Sequence, residues 1–351
     1  MDEQERLTRA ENRLLLEVPS AGPLFLKPPA PLWVEDCHTW RASAAVRTLP
    51  PDLADCAPEG TDVADHDTRL LYHGMMLTVL SPAIARALLV VAEQIRANRQ
   101  RTRGRVGVIL DGPRGTGKST ILHAIGVHWE RGLRELYGAD ENRHPVVSLS
   151  VPPPVRGSVR NWAGAFARYF GQEREGGDPT ESVIRTMRNA RTLLVLVDGI
   201  ERLRTPVEAE QAFQFLDQIQ EDTGATFVYC GRNARSIVDP FTRDNDTHLE
   251  EGEELWGDHR VLRTSRIGFS DEELAKFARI VDLFDADLRL YRHERGDLLA
   301  LAPYLHTRSR GYMRALSHLI CQGAQRAILT KRERITEELL EEVSLGRVEQ
   351  L

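Results

Sequence analysis

Two kinds of hydrophobic pattern alternate along this chain. Short, nearly unbroken apolar runs occupy 106–110 (VGVIL), 146–151 (VVSLSV), 193–197 (LLVLV) and 225–230 (ATFVYC). Their length and β-branched content predict strands buried on both faces. Between them, apolar residues recur at helical spacing over 83–98, 120–137, 158–170, 181–191 and 205–222. Ser81-Pro82 and Thr205-Pro206 each set a capping side chain before a first-turn proline, and Gly224 is a stop signal. This alternation predicts an α/β fold, a mostly parallel sheet flanked by helices. A further candidate strand lies within 260–269, after an acidic loop over 244–258.

Beyond Ser270 the pattern is helical only. Ser270 with Glu273 forms a capping box, and helices are expected at 271–286, 296–306, 311–330 and 336–345. Residues 1–70 contrast with both regions. A short helical pattern over 7–16 precedes two proline-dense stretches, PSAGPLFLKPPAPLW and TLPPDLADCAPEGTD. Prolines at this density remove donors and break regular elements. The expected organisation is a proline-rich arm or small subdomain over 1–70, an α/β core over 71–269 and a helical domain over 270–351. Trp33 and Trp40 are expected to anchor a small cluster in the arm.

Composition narrows the function classes. Of 351 residues, 41% are apolar and 28% charged, ordinary for a globular protein. The formal net charge of −6 gives no global positive field, so any nucleic-acid contact must come from local patches. One candidate patch is Arg96, Arg99, Arg101, Arg103 and Arg105, which reads either as a solvated helix end or as a phosphate contact. The four cysteines are scattered and form no C-x-x-C, as expected of reduced thiols. Cys37, His38, Cys56 and His66 match no metal-site spacing. The charged start is not that of a secretory leader, and no apolar run approaches the ~18 residues of a membrane helix. A cytoplasmic protein is expected.

The chemistry concentrates after the first strand. Gly112-Pro113-Arg114-Gly115-Thr116-Gly117-Lys118-Ser119 fits the phosphate-binding pattern G-x-x-x-x-G-K-[ST], with Thr120 opening the following helix. Glycines let successive backbone N–H groups face phosphate oxygens, and the helix adds its positive N-terminal end. Lys118 supplies charge for the β- and γ-phosphates, and Ser119 offers a hydroxyl to Mg²⁺. Asp198 ends the most apolar strand, where an acid on a rigid strand end suits the same metal. ATP and Mg²⁺ are the expected ligands.

Phosphate loop, strand–Asp, further strand and helical tail follow the order of an AAA+ P-loop ATPase core with a C-terminal all-helical lid. The stretches ATFVYCG (225–231), YLHTRSRGYMRALSHL (304–319), VVSLSVPPP and Arg334-Ile335-Thr336 resemble the TniB/TnsC family of transposition ATPases over roughly 70–345. That resemblance implies ATP-dependent oligomers on duplex DNA that recruit or regulate a transposase. It implies a lid arginine at Arg314, in Gly311-Tyr312-Met313-Arg314, and an arginine acting on a neighbour's nucleotide at Arg260, with Arg263 and Arg243 as alternatives. It also implies a small polar γ-phosphate reader after the Cys230 strand, for which Asn233 is the candidate. Arg156 and Arg160, following a strand end and three prolines, are the candidate DNA contacts.

One departure changes the expectation. AAA+ proteins usually place Glu directly after the strand-end Asp, but the sequence here is Asp198-Gly199-Ile200-Glu201. The water-orienting carboxylate is absent from its usual position. Glu201 is the candidate replacement, although a two-residue offset re-aims a side chain strongly. ATP binding with slow hydrolysis, as in a nucleotide-gated switch, is therefore expected. The alternatives are a nucleotide-binding scaffold or signalling switch without DNA, and a helicase-loader-like ATPase of DNA metabolism.

Overall fold

A computed structural model describes residue 34 and residues 36–47, 49–63, 67–75, 80–156, 159–172, 179–238, 252–256 and 259–346. It divides into two compact units: Ala30–Val46 with Pro82–Ser265, and Met1–Pro29 with Arg47–Ser81 and Arg266–Leu351.

In the first unit the apolar runs become β1 (Val108–Asp111), β2 (Val146–Ser150), β5 (Leu194–Asp198) and β6 (Thr226–Gly231). The candidate strand after the acidic region is β8 (His259–Arg263). These five are parallel neighbours in the order β2-β5-β6-β1-β8, which sets the ends of β1, β5 and β6 side by side. Residues of β1 and β6 are buried throughout, as expected for strands covered on both faces. Helices Pro82–Gln100, Lys118–Tyr137, Trp162–Tyr169, Pro179–Asn189 and Pro206–Thr223 flank the sheet. Thr205 caps the last of these and Gly224 ends it in the left-handed region (φ 74), as the sequence predicts.

The acidic stretch hides a strand. β7 (Gly252–Trp256) pairs antiparallel with β8 at the sheet edge. Main-chain pairing with β8 holds it where its charged residues suggest a loop, and charge is a common way to protect an edge. The segment after β2 departs likewise. A short hairpin, β3 (Pro154–Arg156) and β4 (Val159–Arg160), precedes a helix that begins at Trp162 and not at 158. Asn161 caps it by accepting from the Gly164 amide.

Trp40 corrects a further expectation. It lies in the helix Cys37–Ala45, is 1% exposed, and belongs to the main core cluster, its indole N–H donating to Glu130 at 3.2 Å. Trp33 and the 7–16 segment lie outside the described residues.

The second unit is helical. Helices Thr68–Met75, Asp271–Asp287, Ala302–Ser309, Met313–Leu329 and Glu337–Glu341 share one core with Leu70, Phe277, Phe284, Leu305 and Ile320. The expected 296–306 helix is split into Asp297–Ala300 and Ala302–Ser309 around Leu301. Segment 67–75 belongs here by burial. Fully buried Arg69 meets Glu333 at 2.9 Å and Asp67 at 3.3 Å, and Leu70 and Tyr72 pack in the same core. Among the described residues the chain passes between the units at 46/47, 81/82 and 265/266.

Candidate nucleotide site

β1 leads into the phosphate loop through Asp111. This buried carboxylate accepts from the amides of Gly112 (2.8 Å) and Ala234 (2.9 Å) and lies 3.6 Å from the Arg235 guanidinium. Burial raises its pKa against those favourable contacts. One side chain therefore ties the start of the loop to the turn after β6. Thr264, just past β8, holds the loop from the other side. Its amide donates to the Asp111 carbonyl at 2.8 Å, and its hydroxyl meets that of Thr116 at 2.7 Å. Sequence reasoning did not single out Asp111 or Thr264. For Asp111 the signal available was an acid ending an otherwise apolar strand, and for Thr264 no pattern announced it.

Within the loop, Gly112, Gly115 and Gly117 all sit at positive φ (147, 80 and 91). Arg114 is exposed at the tip, and the Pro113 carbonyl accepts from the Lys118 ammonium at 2.6 Å. Lys118 is buried, and burial lowers its pKa. The negative charges of Glu201, Asp111 and Asp198 oppose that shift, so all three carboxylates lie within its electrostatic reach. Ser119 is exposed in the first helical turn, with Thr120 beside it.

Asp198 ends β5 opposite Ser150 of β2 and Cys230 of β6. The next turn places Glu201. Gly199 takes a left-handed conformation (φ 84), and its amide donates to the Cys230 carbonyl at 2.9 Å. The chain then doubles back through a single 3₁₀ turn, Ile200–Arg202. Glu201 consequently faces the end of β6, where it accepts from the Arg232 amide at 3.3 Å. Gly231 leaves room for it, because a Cβ there would stand 2.5 Å from the Glu201 Oε2 atom. A carboxylate two residues beyond Gly199 thus stands at the end of β6.

The remaining candidates are dispersed. Asn233 is exposed at φ 54, just before the helix Ala234–Val238. Arg260 pairs with Val108 at the start of β1 and meets Glu93 at 3.0 Å. It therefore stands roughly 10 Å along the sheet from the loop at the far end of β1. Arg263 is the residue opposite Asp111, while Arg243 lies outside the described residues. Arg314 is exposed in the first turn of the helix Met313–Leu329. Arg156 lies on β3, and its side chain is outside the described residues.

Arg160 departs from its expected role as a DNA contact. Its guanidinium is 7% exposed, donates to the carbonyls of Pro152 (2.5 Å) and Arg202, and lies 3.5 Å from Glu208. Contact with a DNA phosphate would require breaking these bonds. In the arginine patch, Arg105 similarly binds the Glu221 carbonyl at 2.7 Å.

The residues present fit a nucleoside triphosphate. Positive-φ glycines open the loop's amides, and the Lys118 ammonium is held at its base by the Pro113 carbonyl. Ser119 and Asp198 are the residues that would hold Mg²⁺, which typically takes one or two protein ligands beside water and phosphate oxygens. All four cysteines are free thiols. Among the described residues no helix is long and apolar enough to cross a membrane.

No family model matches this sequence, and no curated protein matches it. Solved structures resemble its fold. The Aeropyrum pernix Orc2 protein in its ADP form superposes with a TM-score of 0.50 at 13% identity, over 73% of this chain and 66% of that one. Aeropyrum pernix Orc1 in complex with DNA gives 0.48 at 16%, over 75% and 64%. The Thermotoga maritima RuvB Holliday junction branch migration motor gives 0.41 at 17%, over 74% and 66%. The chain spans just under two thirds of the length of these neighbours. Sheet order, loop position and the Orc2 likeness together show an α/β fold of the AAA+ P-loop type, a five-stranded parallel sheet flanked by helices, with a helical C-terminal region.

Proposed function

We propose that this chain is an ATP-binding AAA+ protein that oligomerises on duplex DNA and recruits or regulates a transposase there, acting in the cytoplasm as a nucleotide-gated switch. The observation that supports the nucleotide part is the positive-φ glycine loop between β1 and the helix Lys118–Tyr137, with Asp198 and Glu201 at the ends of the neighbouring β5 and β6. Bound Mg²⁺ would supply charge stabilisation on the β- and γ-phosphates. Lys118 binds those phosphates, the loop amides orient them, and Glu201 positions the attacking water. Glu201 stands two residues beyond the usual position of this carboxylate, which favours slow turnover. Asn233 reads the γ-phosphate, Arg260 serves a neighbouring subunit's nucleotide, and Arg314 keeps the lid-arginine role that the resemblance implies.

The DNA and transposase parts rest on the TniB/TnsC resemblance and on the hairpin carrying Arg156. A nucleotide-binding scaffold without DNA is the second reading, favoured by the −6 charge and by the internal engagement of Arg160. A mobility-shift assay on duplex DNA with and without MgATP separates the two. ATP-dependent retention supports the first reading, and no retention at low salt supports the second.

A further inference from the structure

The hydroxyls beneath the phosphate loop form a hydrogen-bond chain with a definite direction. The Pro113 carbonyl accepts from two groups, the Lys118 ammonium at 2.6 Å and the Thr116 hydroxyl at 2.9 Å. The Thr116 oxygen in turn lies 2.7 Å from the Thr264 hydroxyl. Each hydroxyl carries one proton. With the Thr116 proton on Pro113, the Thr264 proton belongs on the Thr116 oxygen. The other acceptor in reach of Thr264, the Asp111 carbonyl, is farther at 3.2 Å and already takes the Thr264 amide at 2.8 Å. Thr116, Lys118 and Thr264 are all buried, so water competes little for these bonds. Thr264 comes this close only because residue 112 has no side chain. A Cβ on Gly112 would run into the Thr264 carbonyl and stand 2.5 Å from its hydroxyl.

Lys118 holds the Pro113 carbonyl with the same ammonium that would bind phosphates. We propose that Thr264 is a positioning residue for nucleotide binding: its hydroxyl fixes that of Thr116 on the Pro113 carbonyl, so the loop keeps its shape when phosphates draw Lys118 away. The proposal rests on the reading of this loop as an ATP site. The relay then matters unequally in the two states. Without nucleotide, ammonium and hydroxyl share the carbonyl. With nucleotide, the hydroxyl is its remaining side-chain donor, and a buried carbonyl left unmet costs more than a neutral bond gains. Removing the Thr264 hydroxyl therefore costs the bound chain more than the free one. A residue serving the fold alone would cost both equally and leave ATP affinity unchanged.

Isothermal titration with MgATP compares the full chain with Thr264→Val, Thr264→Ser, Thr116→Val and the double valine variant. Valine keeps the shape and the amide bond to Asp111 but removes the hydroxyl. Thr264→Val should weaken ATP binding about tenfold, the effect of one buried hydrogen bond, while Thr264→Ser stays within roughly twofold of wild type. Thr116→Val breaks the same relay, so the double variant should lose little beyond the larger single loss. Amide hydrogen exchange over 112–117 gives a second readout. Thr264→Val should match wild type within roughly twofold without nucleotide and exchange about tenfold faster with saturating MgATP. Unaltered ATP affinity in Thr264→Val, an equal loss in Thr264→Ser, or additive losses in the double variant overturn the relay. Exchange that quickens equally with and without nucleotide also overturns it. Absence of ATP binding in wild type contradicts the ATP reading itself, and the relay falls with it.

Discussion

Cys230 and Asp198 stand directly opposite each other at the ends of β6 and β5. Burial first, and then the Asp198 charge, push the thiol pKa well above its ordinary value. Cys230 therefore stays a neutral thiol beside Asp198, and not a nucleophile. With Cys56 only partly exposed and Cys230 fully buried, N-ethylmaleimide should label Cys56 at least about tenfold faster in the folded chain. Mass spectrometry of the labelled peptides checks this, and equal rates would mean that the site opens readily.

Glu201 and Gly231 make a paired prediction. Glu201→Gln removes the carboxylate and should lower kcat by about a hundredfold while ATP affinity changes little. Gly231→Ala introduces a Cβ 2.5 Å from the Glu201 Oε2 atom, so the carboxylate must move aside. A displacement of this order should cost about tenfold or more in kcat. Turnover assays on both variants, alone and combined, check the pairing. Additive losses would show that Gly231 acts by some route other than Glu201.

His73 gives the helical unit a defined acid sensitivity. It is fully buried, with Nδ1 2.8 Å from the Arg69 carbonyl and Nε2 accepting the Arg289 amide at 3.2 Å. This arrangement requires a neutral ring, and burial lowers its pKa to about 4. The unfolded chain takes up the proton first, near the ordinary value of ~6.5. The stability that neutral His73 contributes is therefore complete above about pH 6.5 and is lost as the pH falls toward 4, roughly 3 kcal/mol in all. Thermal unfolding at pH 7 and 4.5 should show a smaller pH-dependent fall in Tm for His73→Gln than for wild type. Equal falls would remove His73 from the acid response.

Arg156 is the remaining arginine of the hairpin for a DNA backbone. Arg156→Ala should weaken duplex binding and lower the slope of log K against log salt by about one. Fluorescence anisotropy across a salt series measures the slope, and an unchanged slope excludes a phosphate contact.

Much of this architecture is written locally. Long apolar runs and a phosphate loop between strand and helix need no distant information, and Thr205 and Gly224 mark helix ends by their own chemistry. What was hidden depends on partners far along the chain. β7 is held by pairing with β8 in spite of its charge, and segment 67–75 joins the helical core because Arg69 meets Glu333. The site divides in the same way. Lys118, Ser119 and Asp198 are legible because their spacing is the chemistry. The placement of Glu201 follows from one left-handed glycine and an empty Cβ position at Gly231, and Arg160 is turned inward by two carbonyls that no pattern announces.

The central claim is that Lys118 and its surrounding carboxylates form an ATP site that gates the chain. Isothermal titration of the full chain with MgATP, beside Lys118→Ala, tests it most directly. The account predicts one site per chain in wild type and about a hundredfold or greater loss of affinity in the variant, with an unchanged unfolding profile without nucleotide. Equal affinity in the two proteins, or no heat of binding in wild type, would contradict it.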